Sequence, residues 1–183
     1  HFIAFSGEEL GLIGSRYYAE DALQKGEKIL GVFNFDMIGF NDVYDRLELV
    51  SNPASNWMAE QMHDVNLLYG IGLRIDILSD GGAGLSDHAP FWARGYDAIL
   101  GIENYLPTDP FSAGVVEGLY RINSQYPSVV DTPDSLNYDL IRRTTQLAVA
   151  TLAQYGSNVG KPNLAVFEGD LRGDAEDFLE VRV

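Results

Sequence analysis

The chain has no cysteine. That excludes a disulfide framework and any thiolate metal site, while leaving the compartment open. Basic residues are scarce, with 12 Lys and Arg against 27 Asp and Glu and a formal charge of −15. A surface this acidic repels phosphate backbones and anionic bilayers, so the expected partners do not include nucleic acid. No apolar run approaches the roughly 20 residues that span a bilayer. A signal-like start is lacking too: the chain opens on His1, not Met, and runs directly into Phe2-Ile3-Ala4-Phe5. That opening is expected of a piece cut from a longer protein.

What is present is ordinary globular material. The chain has 183 residues, 46% hydrophobic and 21% charged, which suits one domain with an appendage. Apolar runs predict strands over 2–5, 29–37, 46–50, 73–78 and 97–102. Helical patterns cover 8–23, 54–69, a short 87–94 and 137–155, with Gly156 as a stop. Glu8 and Glu9 fall where a helix N-terminus favours negative charge. Between Glu103 and Asp131 lies a long irregular stretch containing Pro107, Pro110 and Pro127, the kind of loop that carries function. Residues 1–156 form the expected domain, and 157–183 read as an acidic linker or the start of a further element. Strands alternating with helices imply an α/β fold on a largely parallel sheet, whose ligands collect at the carboxyl ends of strands.

Four carboxylates fall at or beyond strand ends: Glu8 and Glu9 after the first, Asp36 ending the second, and Asp87 beside His88. Acids gathered on one rim repel each other and need a cation or shared protons. Zinc accepts carboxylate oxygen. Adjacent glutamates can divide the work, one binding metal and the other acting as a base. Singly, each feature has a plainer explanation, as a dipole-matched surface pair or a helix cap.

The acids sit in four segments: Ser6-Gly7-Glu8-Glu9-Leu10-Gly11, Asn34-Phe35-Asp36-Met37-Ile38-Gly39, Ser86-Asp87-His88-Ala89-Pro90-Phe91 and, further on, Asp131-Thr132-Pro133. Together these segments resemble the zinc-dependent aminopeptidases, a superfamily that includes bacterial leucyl aminopeptidases, glutamate carboxypeptidases and glutaminyl cyclases. The segments occur in family order over about residues 1–155. The resemblance implies a three-layer α/β/α sandwich with a mixed, mostly parallel sheet, here lacking its N-terminal strands. It implies Glu8 as general base, Glu9 and Asp36 as ligands to two zinc ions, Asp87 as a supporting carboxylate and His88 as structural. The substrate would be a peptide with a free N-terminus, cleaved one residue at a time. Export to the periplasm or beyond is implied as well.

The pattern breaks in two places. The family's other ligands lie upstream of the Gly-Glu-Glu segment, where this chain has no residues. The family's last His ligand aligns with Pro127, which offers no donor atom; a rival alignment puts Asp131 there instead. An inactive, peptidase-like binding domain and glutaminyl cyclase-like acyl transfer therefore remain as alternative readings. Tyr105, Phe111 and Tyr120 are candidates for lining a substrate pocket or for packing beneath the long loop. The exposed sheet edge expected of a shortened sheet would suit a dimer partner or an upstream segment.

Overall fold

Short β-rich segments flanked by amphipathic helices build the sheet. The computed structural model describes residues 1–40, 46–103 and 132–158. In chain order these residues form α1 (Ile13–Lys25), β1 (Val32–Asp36), β2 (Arg46–Ser51), α2 (Asn56–Leu68), β3 (Arg74–Ser79), α3 (Ala89–Trp92), β4 (Ala98–Ile102) and α4 (Tyr138–Asn158), with a 3-10 turn at Pro133–Ser135 before α4. The sheet order is β1-β4-β2-β3. β1 runs parallel to β4 and β2 parallel to β3, whereas β2 and β4 are antiparallel. The expected mixed, mostly parallel sheet is therefore present.

Alternation along the strands sends side chains to two faces. One face carries Phe33, Leu47, Leu49, Ile99, Ile75 and Ile77, packed against Met58, Met62 and Val65 of α2 and Leu140 and Leu147 of α4. The spacing of 58, 62 and 65, and of 140 and 147, is the helical repeat that makes one buried stripe. The other face carries Val50, Leu100 and Ile102, with Ala98 and Val32 packed beside Ala19 of α1 and Phe91 of α3. Helices thus cover both faces, in three layers.

Four local expectations need correction. Residues 2–5 are not a strand; Phe2 is 73% exposed, and no described strand pairs with this segment. An extended segment without a partner leaves its N–H and C=O groups to water, so apolar content alone does not make it a strand. The first helix begins at Ile13 rather than Glu8. Residues 7–12 instead make tight turns, with Gly11 N and Leu12 N both donating to the Glu8 carbonyl. Gly11 and Leu12 adopt left-handed backbone at φ 100° and 59°, which a helix cannot continue. Glu8 and Glu9 consequently sit before the helix, whose first turn holds no acid. At the other end, Gly156 does not stop α4, which reaches Asn158 and so overlaps the start of the expected linker. The remainder of that linker, 159–183, lies outside the described residues.

Candidate active site

Three elements converge on the carboxyl end of β1. Asp36 is the last residue of that strand. Two residues back, on the same face, Asn34 Nδ2 donates to Ser86 Oγ at 2.8 Å. Ser86 Oγ in turn donates to Asp36 Oδ2 at 2.8 Å. Ser86 is 4% exposed, so this relay is sheltered and holds the Asp36 carboxylate in one orientation. Asn34 cannot accept through its amide nitrogen, so it fixes the direction of the serine proton toward Asp36.

Glu8 and Glu9 are delivered by the 6–14 turn. Gly7 has φ 68°, a conformation that glycine adopts without strain. Gly14 lies so close to the preceding chain that a Cβ there would stand 2.9 Å from both the Ser6 nitrogen and oxygen. The same approach is closed by Gly14 N donating to Ser6 O at 3.0 Å. The turn is therefore pinned to the start of α1. From α1, the buried Ser15 hydroxyl donates to Asp87 Oδ1 at 2.5 Å, tying that helix to the Ser86–His88 segment.

The four carboxylates share one electrostatic neighbourhood. The Glu8 carboxyl is pushed above the ordinary glutamate range, first by partial burial and then by the charges of Asp36, Glu9 and Asp87. Such repulsion is what a bound cation would relieve. The chemistry of this donor set, oxygen atoms on converging acids, suits part of a divalent-metal shell. Among the described residues, however, no group of three or more His, Asp or Glu is placed to hold an ion by itself. Tyr105, Phe111, Tyr120, Pro127 and Asp131 lie outside the described residues.

His88 is fully buried. Its Nε2 is 2.7 Å from the Ala83 carbonyl, so that nitrogen carries the proton and donates. The ring edge packs on Trp92 at 4.4 Å between centroids. Burial pushes the imidazole below its ordinary value, only partly offset by the Ala83 bond and the charges of Asp36 and Asp87. The unfolded chain therefore takes up a proton near pH 6.5, before the folded one does. Stability from neutral His88 is present above that pH and is lost as pH falls through the lower folded value. Urea midpoints should drop between pH 7 and pH 5, and a His88→Gln variant should lose much of that slope. An unchanged slope would mean that other groups dominate acid unfolding.

Sequence reasoning alone did not single out Ser86, Asn34, Ser15 or Glu103. Ser86 stood inside a quoted motif, but its partner Asp36 is 50 positions away. The only local signal for Glu103 was that, like Asp36, it is an acid at a strand end.

Comparisons with known proteins bear on the family and the fold. The model of peptidase family M28 matches residues 1–152. Aminopeptidase YwaD of Bacillus subtilis is 27% identical over 184 aligned positions, covering 98% of this chain and 36% of the relative. The leupeptin-inactivating enzyme 1 of Streptomyces exfoliatus is 40% identical over 93 residues, covering 48% of this chain and 18% of the relative. The chain thus spans little more than a third of the longer match. Among solved structures, LapB of Legionella pneumophila superposes with a TM-score of 0.68 at 25% identity, covering 85% of this chain and 39% of that one. A zinc aminopeptidase of Bacillus subtilis superposes with a TM-score of 0.64 at 23% identity, over 83% and 34% of the two chains. With the motif order, the sheet and the family match in accord, the chain belongs to peptidase family M28.

Proposed function

We propose that this chain is part of the catalytic domain of a zinc-dependent aminopeptidase, with Glu8 as general base and Glu9 and Asp36 as metal ligands. The single observation that carries the reading is the meeting of Glu8, Glu9, Asp36 and Asp87 in one neighbourhood, where burial first and then the three other charges raise the Glu8 carboxyl. The names of the relatives, two of them aminopeptidases and one a zinc enzyme, support it. Bound zinc would supply positive charge to polarise a peptide carbonyl and acidify water. The remaining ligands would come from parts of the protein outside the described residues.

The chain's own residues have distinct tasks in this reading. Glu8 takes a proton from the attacking water and returns it to the departing amine. Its raised affinity for protons brings it nearer to working pH, where proton transfer in both directions is efficient. Asp36 is held by Ser86, and Ser86 by Asn34, so the ligand is aimed before metal arrives. Asp87 braces the rim through Ser15. The negative field attracts the ammonium group of a peptide's free N-terminus. The domain includes all of α4 as far as Asn158, and in this reading the whole protein acts outside the cytoplasm. No helix among the described residues is long and apolar enough to cross a membrane.

Pro127 motivates a second reading, a peptidase-like binding domain without metal chemistry. Zinc titration of the full-length protein by calorimetry separates the two. The aminopeptidase reading expects a Glu9→Ala, Asp36→Ala double variant to lose at least the roughly 10–100-fold that removing even an outer-sphere partner costs. Zinc affinity indifferent to both substitutions would overturn it in favour of the binding domain.

A further inference from the structure

The backbone reverses sharply just after Asp36. Met37 has φ 49°, a left-handed conformation that non-glycine residues keep only where the surroundings enforce it. Glu103, immediately beyond β4, touches this reversal twice. Its backbone N–H donates to the Met37 carbonyl at 3.1 Å. Its carboxylate accepts the Phe40 N–H at Oε2, at 2.6 Å. On the other side, Asn137 N donates to the Gly39 carbonyl at 2.6 Å. Asn137 also caps α4, its Oδ1 accepting from Leu140 N at 3.0 Å. The turn is thus gripped between the end of β4 and the start of α4. The side chain of Glu103 makes one of those grips, and Glu103 is only 3% exposed. Register adds a reason why the grip matters to the site. Asp36 pairs with Ile102, so Glu103 is the first residue past the last rung that aligns Asp36.

We propose that Glu103 is a positioning residue: its carboxylate locks the left-handed turn at Met37–Phe40 and thereby sets where the Asp36 carboxylate points. The inference rests on the reading of Asp36 as a metal ligand and extends it to a second acid that binds no metal. A buried carboxylate on a backbone N–H is a charge-assisted bond that a truncated side chain cannot replace. Glu103→Ala leaves the Phe40 N–H without its acceptor and frees the strained turn. Glu103→Gln keeps one acceptor oxygen at the same reach, while it gives up the charge and turns the other oxygen into an NH2 donor.

The test uses the full-length protein with two readouts. The first is zinc affinity by calorimetry. The second is the carboxyl carbon resonance of Asp36 in the metal-free protein. Glu103→Ala should weaken zinc by about 10–100-fold and move or broaden the Asp36 resonance. Glu103→Gln should recover most of both. Met62→Ala, which empties a buried site on α2, serves as a control for general destabilisation and should change neither. An Asp36 resonance indifferent to Glu103→Ala overturns the proposal whatever zinc does. So does an effect that Met62→Ala reproduces, or one that Glu103→Gln fails to rescue. If Asp36→Ala leaves zinc affinity intact, the ligand reading of Asp36 fails; the resonance then still decides whether Glu103 positions that carboxylate.

Discussion

Replacing Glu8 by Gln should cut kcat of the full-length protein by about 10²–10⁴-fold, the usual contribution of a positioned general base. The amide matches the carboxylate in shape, so KM should change little. In the proposed scheme substrate binding draws on Glu9, Asp36 and Asp87 as well, whereas proton removal belongs to Glu8. The substitution also removes one negative charge from a site where partial burial and then Asp36, Glu9 and Asp87 raise the Glu8 carboxyl. A carboxyl raised in this way weakens the folded state once pH climbs through its folded value. The Gln variant should therefore be no less stable than the parent at neutral pH, and the difference should vanish in acid. Loss of turnover with retained stability would separate a chemical role from a folding defect. Equal kcat in both proteins would remove Glu8 from the mechanism.

Replacing Phe91 by Ala should cost about 3–5 kcal/mol, the range for emptying an aromatic site in a core. Phe91 is 2% exposed and meets Phe5, Tyr18 and Tyr96, with ring centroids at 6.2, 6.1 and 6.4 Å. These rings come from the N-terminal segment, α1, α3 and the approach to β4. The cavity would thus open where several elements meet, and little could collapse into it. A loss of that size is a large part of a domain's total stability, typically about 5–15 kcal/mol. The same helices hold Ser15 against Asp87, so the rim should loosen in parallel. Urea denaturation measures the loss directly. A cost below about 1 kcal/mol would mean that the neighbours had closed the gap.

The elements that were legible in the sequence are those whose signal is local and whose partners lie in the fold described. Asn34-Phe35-Asp36 read as the end of a strand because apolar residues run up to an acid. The helix at 54–69 was legible from its start, where Ser51, Asn52 and Pro53 stand before it. The sequence pattern misread the segment at Phe2–Phe5 because being a strand depends on a partner, which composition does not report. Leu12 concealed the true start of α1, since nothing in a leucine announces φ 59°. Gly156 was overridden by packing: the Tyr155 ring stands against Phe33 and Trp57 at 5.4 and 5.8 Å, which outweighs a glycine penalty of about 1 kcal/mol.

In the site the division is similar. Asp36 was visible because it ends a strand, and Glu8, Glu9 and Asp87 because they fall in motifs whose shared order is more specific than any one motif alone. The groups that orient them were not. A serine in a loop can serve any neighbour, and only the fold brings Ser86 to Asp36. Glu103 was hidden for the same reason, since Phe40 is 63 positions away. Ligand types are carried by residue identity, whereas their supports are carried by tertiary contact.

The most direct test of the account is release of N-terminal residues by the full-length protein. Matched peptides, one with a free amino terminus and one acetylated, should be followed by mass spectrometry with and without a zinc chelator. The account predicts stepwise loss of single residues from the free peptide, none from the acetylated one, and cessation on chelation with recovery when zinc is restored. Cleavage of both peptides alike, or no cleavage of either by zinc-loaded protein, would contradict it.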